Sequence, residues 1–305
     1  MIRLLLSVSL LTVFSAHAAA ADATYSAGLL NSDVGHISVV GGLDAVRDVE
    51  DGQDNDADVG FLEIDASYTF AATDSVSLVL DGNVRKDFFE DSRFELSAGP
   101  VQVESLDWQF MVGGHLLYNV GTVSRIGLLS GFGDSANAED EGYSVMLFGL
   151  EGQTFLTDDV LLYAQAGWGD MVAGDSSNEG FQNGVFGRIG ATFFLADHTA
   201  LNLDLEHSRV SEYIDGDDAG RFSQVTLGGE TVLPFDGAAL SLLYHAGFSN
   251  FDTTTEGDDL NEYEIGIGLK LAFGASTPRE AARAGVSIGL PELPIRASHL
   301  TETLD

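Results

Sequence analysis

From about Gly35 to Phe273, apolar and polar side chains alternate with a period of two, and the pattern barely stops. In Gly60–Phe70 one face carries Leu62, Ile64, Ala66, Tyr68 and Phe70, and the other Phe61, Glu63, Asp65, Ser67 and Thr69. Toward the end, Tyr263, Ile265, Ile267, Leu269, Leu271 and Phe273 alternate with Glu264, Gly266, Gly268, Lys270 and Ala272. Successive side chains of a strand point to opposite faces, so each such run predicts a strand with one greasy and one polar side.

Twelve runs stand out, at about 35–45, 59–70, 75–85, 103–118, 123–132, 143–156, 160–171, 181–194, 199–209, 221–233, 239–250 and 262–273. Each reaches the roughly 9–11 tilted residues that cross a bilayer as a strand. Five connections are short: 71–74, 119–122, 157–159, 195–198 and 234–238. Six are longer and mostly acidic: 46–58, 86–102, 133–142, 172–180, 210–220 and 251–261. Short and long alternate throughout, as in a closed up-and-down barrel with tight turns at one rim and loops at the other. Phe94 to Glu104 could add a hairpin, so the count is about twelve within a range of 10–14.

Alternation alone does not say whether the apolar face meets a second sheet or lipid. Three features favour lipid. The runs exceed the five or six residues usual in soluble strands. The polar face is rich in Gly, Ser, Gln and mixed charge, which suits a wet interior. Aromatics recur near strand ends (Tyr68, Phe70, Tyr118, Phe155, Phe193, Phe235, Phe273), as in an interfacial girdle. The expectation is an all-β, closed antiparallel transmembrane barrel over 35–273. A secreted soluble β-protein is the alternative. No run of 18 apolar residues follows the N-terminal segment, so no membrane helix is predicted. Met1-Ile2-Arg3, the apolar Leu4–Phe14 and the small residues around Ala16-His17-Ala18 predict a secretory signal peptide over 1–21. Residues 22–34 then form an N-terminal periplasmic segment.

Gly268-Leu269-Lys270-Leu271-Ala272-Phe273 resembles the terminal-strand signal of bacterial outer-membrane β-barrels, with Gly268, Leu271 and Phe273 at its defining places. The resemblance covers about 35–273 and implies a porin-like barrel in the outer membrane of a Gram-negative bacterium. It also implies recognition by the barrel-assembly machinery, and lipid and lipopolysaccharide as surroundings. Barrels of this kind usually end at the aromatic, whereas here Gly274 to Asp305 follow. That tail is expected in the periplasm, where Arg279 to Ala284 could form a helical turn or two. It reads as a flexible extension, a plug, or a docking segment.

With the apolar face outward, the bore is expected to be lined by Glu63, Asp65, Asp107, Arg125, Glu151, Arg188, Asp204, Glu206, Glu230, His245, Glu264 and Lys270, with Asp81 and His115 among them. Acids dominate there, and rings of carboxylates favour cations. The chain as a whole has 13 Lys and Arg against 48 Asp and Glu, a formal net charge of −35, so binding to a phosphate backbone is excluded. It has no Cys, which excludes disulfides, thiolate metal sites and a thiol nucleophile. Asp54, Asp56 and Asp58 place hard oxygens at every second residue, like the start of a calcium loop, so Ca2+ or Mg2+ at the acidic loops is the sole cofactor suggested. Val59 stands where such a loop needs glycine.

For catalysis the candidate is His207. Outer-membrane phospholipases and lipid A deacylases place His and Ser together on the outward face. Here Ser208 is adjacent to His207 and must point the other way, which defeats a nucleophile–base bond between them. The pairs Gly113-Gly114 and Gly228-Gly229 read as bends or bulges. The expected function is therefore not enzymatic but a channel for passive diffusion of small hydrophilic solutes, preferring cations. The alternatives are a closed structural or adhesive barrel and a lipid-modifying enzyme.

Overall fold

The computed structural model describes residues 28–30, 32–50, 53–89, 93–96, 99–102, 106–137, 142–173, 184–210, 219–235, 239–253 and 259–291. The expected signal peptide lies outside them. The strands are β1 (Val34–Glu50), β2 (Gln53–Ala71), β3 (Val76–Phe89), β4 (Arg93–Leu96), β5 (Gly99–Gln102), β6 (Leu106–Val120) and β7 (Ser124–Asn137). They continue with β8 (Gly142–Thr157), β9 (Val160–Ala173), β10 (Gly184–Ala196), β11 (Thr199–Arg209), β12 (Gly220–Val232), β13 (Ala239–Thr253) and β14 (Asp259–Phe273).

All but β4 and β5 hydrogen-bond in chain order, and β14 returns to β1 to close a barrel of twelve antiparallel strands. Closure leaves no unpaired edge, the condition for a sheet to cross lipid. The closing seam runs from Gly35↔Phe273 to Asp48↔Leu260. Gly268 sits in that seam, where a Cβ would meet Val40 Cγ2 at 2.7 Å, so the glycine of the terminal motif permits close approach to β1. Leu271 and Phe273 face outward.

The apolar stripes of the barrel strands face out. Ile265, Ile267 and Leu269 on β14 are 58%, 62% and 49% exposed, and Ile37, Leu62, Leu80, Leu116, Phe148, Ile189 and Leu227 continue the belt. The polar stripes face in. Hydrocarbon is the solvent such a belt requires, and the barrel is transmembrane. Ile267 lies mid-strand in this belt, so Ile267→Arg is expected to cost about 2–4 kcal/mol in lipid vesicles, read by equilibrium urea unfolding. An unchanged unfolding midpoint would place that face against something other than lipid.

One sequence expectation changes and two open ones are resolved. First, the connection 46–58 is mostly strand: β1 and β2 stay paired as far as Glu50↔Gln53. Asp54, Asp56 and Asp58 therefore lie on a straight hairpin arm and not in a curled loop. The side chains of Asp54 and Asp56 lie outside the described residues, and Asp58 pairs with Arg47 at 3.2 Å. Second, the extra hairpin at Phe94 exists as β4–β5 but forms its own two-stranded sheet. Third, of the readings open for the tail, its described part, Gly274 to Pro291, takes that of a plug: it turns back into the bore.

Candidate functional site

The bore is entered from the short-turn end by the chain's own C-terminal segment. Gly274, at φ +75°, reverses the chain after β14. A seven-residue helix, α1 (Pro278–Ala284), follows. Thr277 caps it by accepting the Glu280 amide at 3.2 Å, and proline at the first helical position lacks the amide that would need a partner. The Glu280 carboxylate accepts in return from the Ser276 hydroxyl and amide, which holds its pKa below the usual carboxylate range. Gly285 ends the helix at φ +87°, a left-handed conformation that suits glycine.

Why this helix sits in the mouth follows from its faces. Ala281, Ala282 and Ala284 are buried, and Ala282 joins an apolar cluster of Val123, Phe155, Leu161, Phe194 and Ala200, with Leu29 of the N-terminal segment packed beside it. The opposite side grips the turns. Arg279 meets Asp159 at 2.6 Å and Asp197 at 3.5 Å, and Arg283 meets Asp158 at 2.9 Å. Both guanidinium groups also lie over rings, Phe194 and Phe155 respectively.

Beyond the helix, Val286 to Pro291 run extended along the inner wall. The Thr69 hydroxyl donates to the Gly285 carbonyl at 3.0 Å. Ser287 donates to Asp81. Gln165 donates to the Gly289 carbonyl at 2.9 Å, and Arg188 reaches the Leu290 carbonyl at 3.3 Å. Leu290 lies where Gly113 and Gly131 leave room: a Cβ at Gly113 would come within 2.5 Å of it, and one at Gly131 within 3.1 Å. Gly113-Gly114, expected as a bend, is regular strand pairing with β3 through Gly113↔Asp81. Its missing side chain makes space for the segment.

Every predicted lining residue whose side chain is described points inward, and most are paired. Arg188 makes a two-toothed contact with Asp204 at 2.7 and 2.8 Å. Lys270 pairs with Glu230. Glu151 meets His115 at 2.8 Å, and the other ring nitrogen of His115 lies 2.7 Å from Asp81. His245 lies 2.6 Å from Glu264. Glu206 is buried. Asp65 accepts from Ser38 at 3.2 Å and Asn83 at 2.6 Å. The Asp107 side chain lies outside the described residues. Arg125 departs most from a role opposite the bore's acids. Among the described residues it has no carboxylate partner, and it donates to neutral oxygens: Ala282 O at 3.0 Å, Arg283 O, Leu30 O at 3.3 Å and Asn119 Oδ1 at 3.0 Å. It clamps the C-terminal end of α1, where unsatisfied carbonyls carry partial negative charge.

The principal residue missed by sequence reading is Arg85. It lies at the centre of the acidic wall, against Asp44, Asp87 at 3.0 Å and Glu264 at 2.7 Å, with Glu63 at 3.9 Å. The inward-facing Phe61 ring lies 4.0 Å beneath its guanidinium carbon. The signal was present, since Arg85 continues the parity of Asp81 and Asn83, but the run was ended there. Between this wall and the plug lies a cavity of about 420 Å³, bordered by Ser38, Glu63, Asp65, Asn83, Gln224 and Glu262 and floored by Val286–Pro291. On the outer face, His207 does bond a serine, but across the ladder: Nδ1 lies 2.9 Å from Ser223 Oγ. Ser208 is inward and buried, as its parity requires.

No protein-family model matches the chain, and no curated protein sequence does. Among solved structures, an outer membrane channel from Pseudomonas putida F1 superposes with a TM-score of 0.53 at 13% identity, over 82% of this chain and 97% of that one. The translocator domain of the autotransporter NalP from Neisseria meningitidis gives 0.47 at 11% identity, over 86% of this chain and 95% of that one. A FadL homologue from Pseudomonas aeruginosa gives 0.42 at 8% identity, over 80% and 90%. At such identities the likeness to the first is one of fold: the outer-membrane type of closed barrel.

Proposed function

We propose that the chain is an outer-membrane channel for small hydrophilic solutes with a preference for cations, held shut at rest by its C-terminal segment. One observation carries this reading: charged and polar side chains recur along the bore wall among apolar ones, and what obstructs it is a terminal segment docked through hydrogen bonds, a few ion pairs and the alanine face of one short helix. An eight-stranded barrel is filled by its own side chains, and barrels of 16–18 strands stand open. Twelve strands lie between these cases, and here side chains and the docked terminal segment share the lumen. The structural relative from Pseudomonas putida is itself described as a channel, which agrees.

Carboxylates supply the cation preference. Arg85, Arg125, Arg188 and Lys270 face a larger set of inward acids that includes Glu63, Asp65, Asp81, Asp204, Glu206, Glu230 and Glu264. The test is current across planar bilayers from the full chain and from a chain ending at Gly274. The shortened chain should conduct steadily and prefer potassium to chloride. In that background, neutralising Asp204, Glu206 and Glu230 together removes three acids and frees Arg188 and Lys270, so the potassium-to-chloride permeability ratio should fall several-fold. Steps that prefer chloride would refute the selectivity. No current from either chain would assign the closed structural barrel instead.

A further inference from the structure

We propose that the outward face of β11–β13 at the long-loop rim is a docking site for a lipid headgroup that ends in a phosphate monoester. The register sets Arg209 directly opposite Arg221 on neighbouring strands, and both side chains are exposed on the lipid-facing side. Partners in an antiparallel pair hold their Cβ atoms about 4.5–5.5 Å apart, and like charges there repel. Among the described residues Arg209 has no carboxylate partner, and Arg221 has only Asp252 at 3.8 Å. In a chain of net charge −35, two facing arginines are an arrangement that local composition does not require.

Position names the counter-ion. One step below the arginines lies the hydrogen-bonded pair of His207 and Ser223, and one step below that Leu205 and Val225 begin the apolar belt. The two guanidinium groups therefore stand at the upper edge of the belt, at headgroup depth. Guanidinium forks match phosphate oxygens, and an anion between the two converts their repulsion into a bridge. A phosphate monoester carries nearly two negative charges near neutral pH and balances both arginines, whereas a diester balances one. Among the described residues no carboxylate contacts His207, so the imidazole and the Ser223 hydroxyl lack the third, orienting group of a hydrolytic site. They serve as further donors to the headgroup.

The experiment uses the full chain in dodecyl maltoside with hexa-acylated lipid A bearing both phosphates, the same lipid after enzymatic dephosphorylation, phosphatidylglycerol, or inorganic phosphate alone. Retained lipid is read by native mass spectrometry and stability by the thermal midpoint. Phosphorylated lipid A should be retained roughly tenfold more than the dephosphorylated form or the diester lipid, and should raise the midpoint. R209Q/R221Q should lose both effects while its own lipid-free midpoint rises, because a repulsion is gone; this separates lost binding from lost folding. R47Q, on an outward arginine already paired with Asp58, should change nothing. Equal retention of the dephosphorylated lipid, undiminished retention by the double variant, or a full midpoint shift from inorganic phosphate would overturn the proposal. Recovery of the lipid short of an acyl chain would also overturn it, in favour of hydrolysis.

Discussion

Replacing Arg125 with alanine is expected to leave the barrel closed in its ladder and to raise the open probability of the channel by roughly ten- to hundredfold, a shift of about 1.5–3 kcal/mol. The side chain is 1% exposed and makes its bonds to α1 as a charged donor, to the carbonyls of Ala282 and Arg283. It also holds the Leu30 carbonyl, and Leu30 in turn donates to Arg283 O at 2.9 Å. One guanidinium thus ties wall, N-terminal segment and plug together. Its loss leaves helix-end carbonyls facing a mouth that water can enter, which favours the undocked state. Lysine, a single point donor, should fall between arginine and alanine. Single-channel recordings in planar bilayers read the effect, with the chain ending at Gly274 as the fully open reference. An Arg125→Ala protein with the closed-state statistics of the parent would show that α1 is not the gate.

Replacing Arg85 with alanine should destabilise the barrel by about 3–5 kcal/mol, the penalty for stranding buried charge when one partner of an ion pair is removed. Asp44 and Asp87 are 1% and 5% exposed, and both lie against this guanidinium together with Glu264. The cavity beside them admits water, which draws the expected value toward the lower end. Urea unfolding in lipid vesicles measures it, and Asp44→Asn added to Arg85→Ala should return part of the loss. A loss under about 1 kcal/mol, the range of exposed ion pairs, would mean the cluster is solvated throughout.

The fold was legible because its cause is local. Each strand carries its own instruction in the parity of its side chains, and a one-residue slip would turn every leucine of β11 into the bore. The inward direction of the described charged residues was legible for the same reason. What parity does not contain is who meets whom. His207 read against its sequence neighbour Ser208 has no partner. Read across the ladder it has Ser223, sixteen residues away. Arg85 stands at a run's end; Asp87 follows it on the same strand, but Asp44 and Glu264 come from β1 and β14, which meet only when the sheet closes. The tail was legible as far as its helix, through Pro278 and the short run after it. Its destination stayed open between an extension, a plug and a docking segment.

Sequence by itself determined the strand pattern, the greasy exterior, the acidic interior and the two unequal rims, because these depend on neighbours one or two residues apart. Tertiary structure alone decided that the bore is occupied. Whether Leu290 can lie against Gly113 and Gly131, and whether Arg125 can reach the end of α1, depends on the width of a ring of twelve strands. That width exists only after β14 has found β1, since closure sets the distance between side chains that the chain holds far apart.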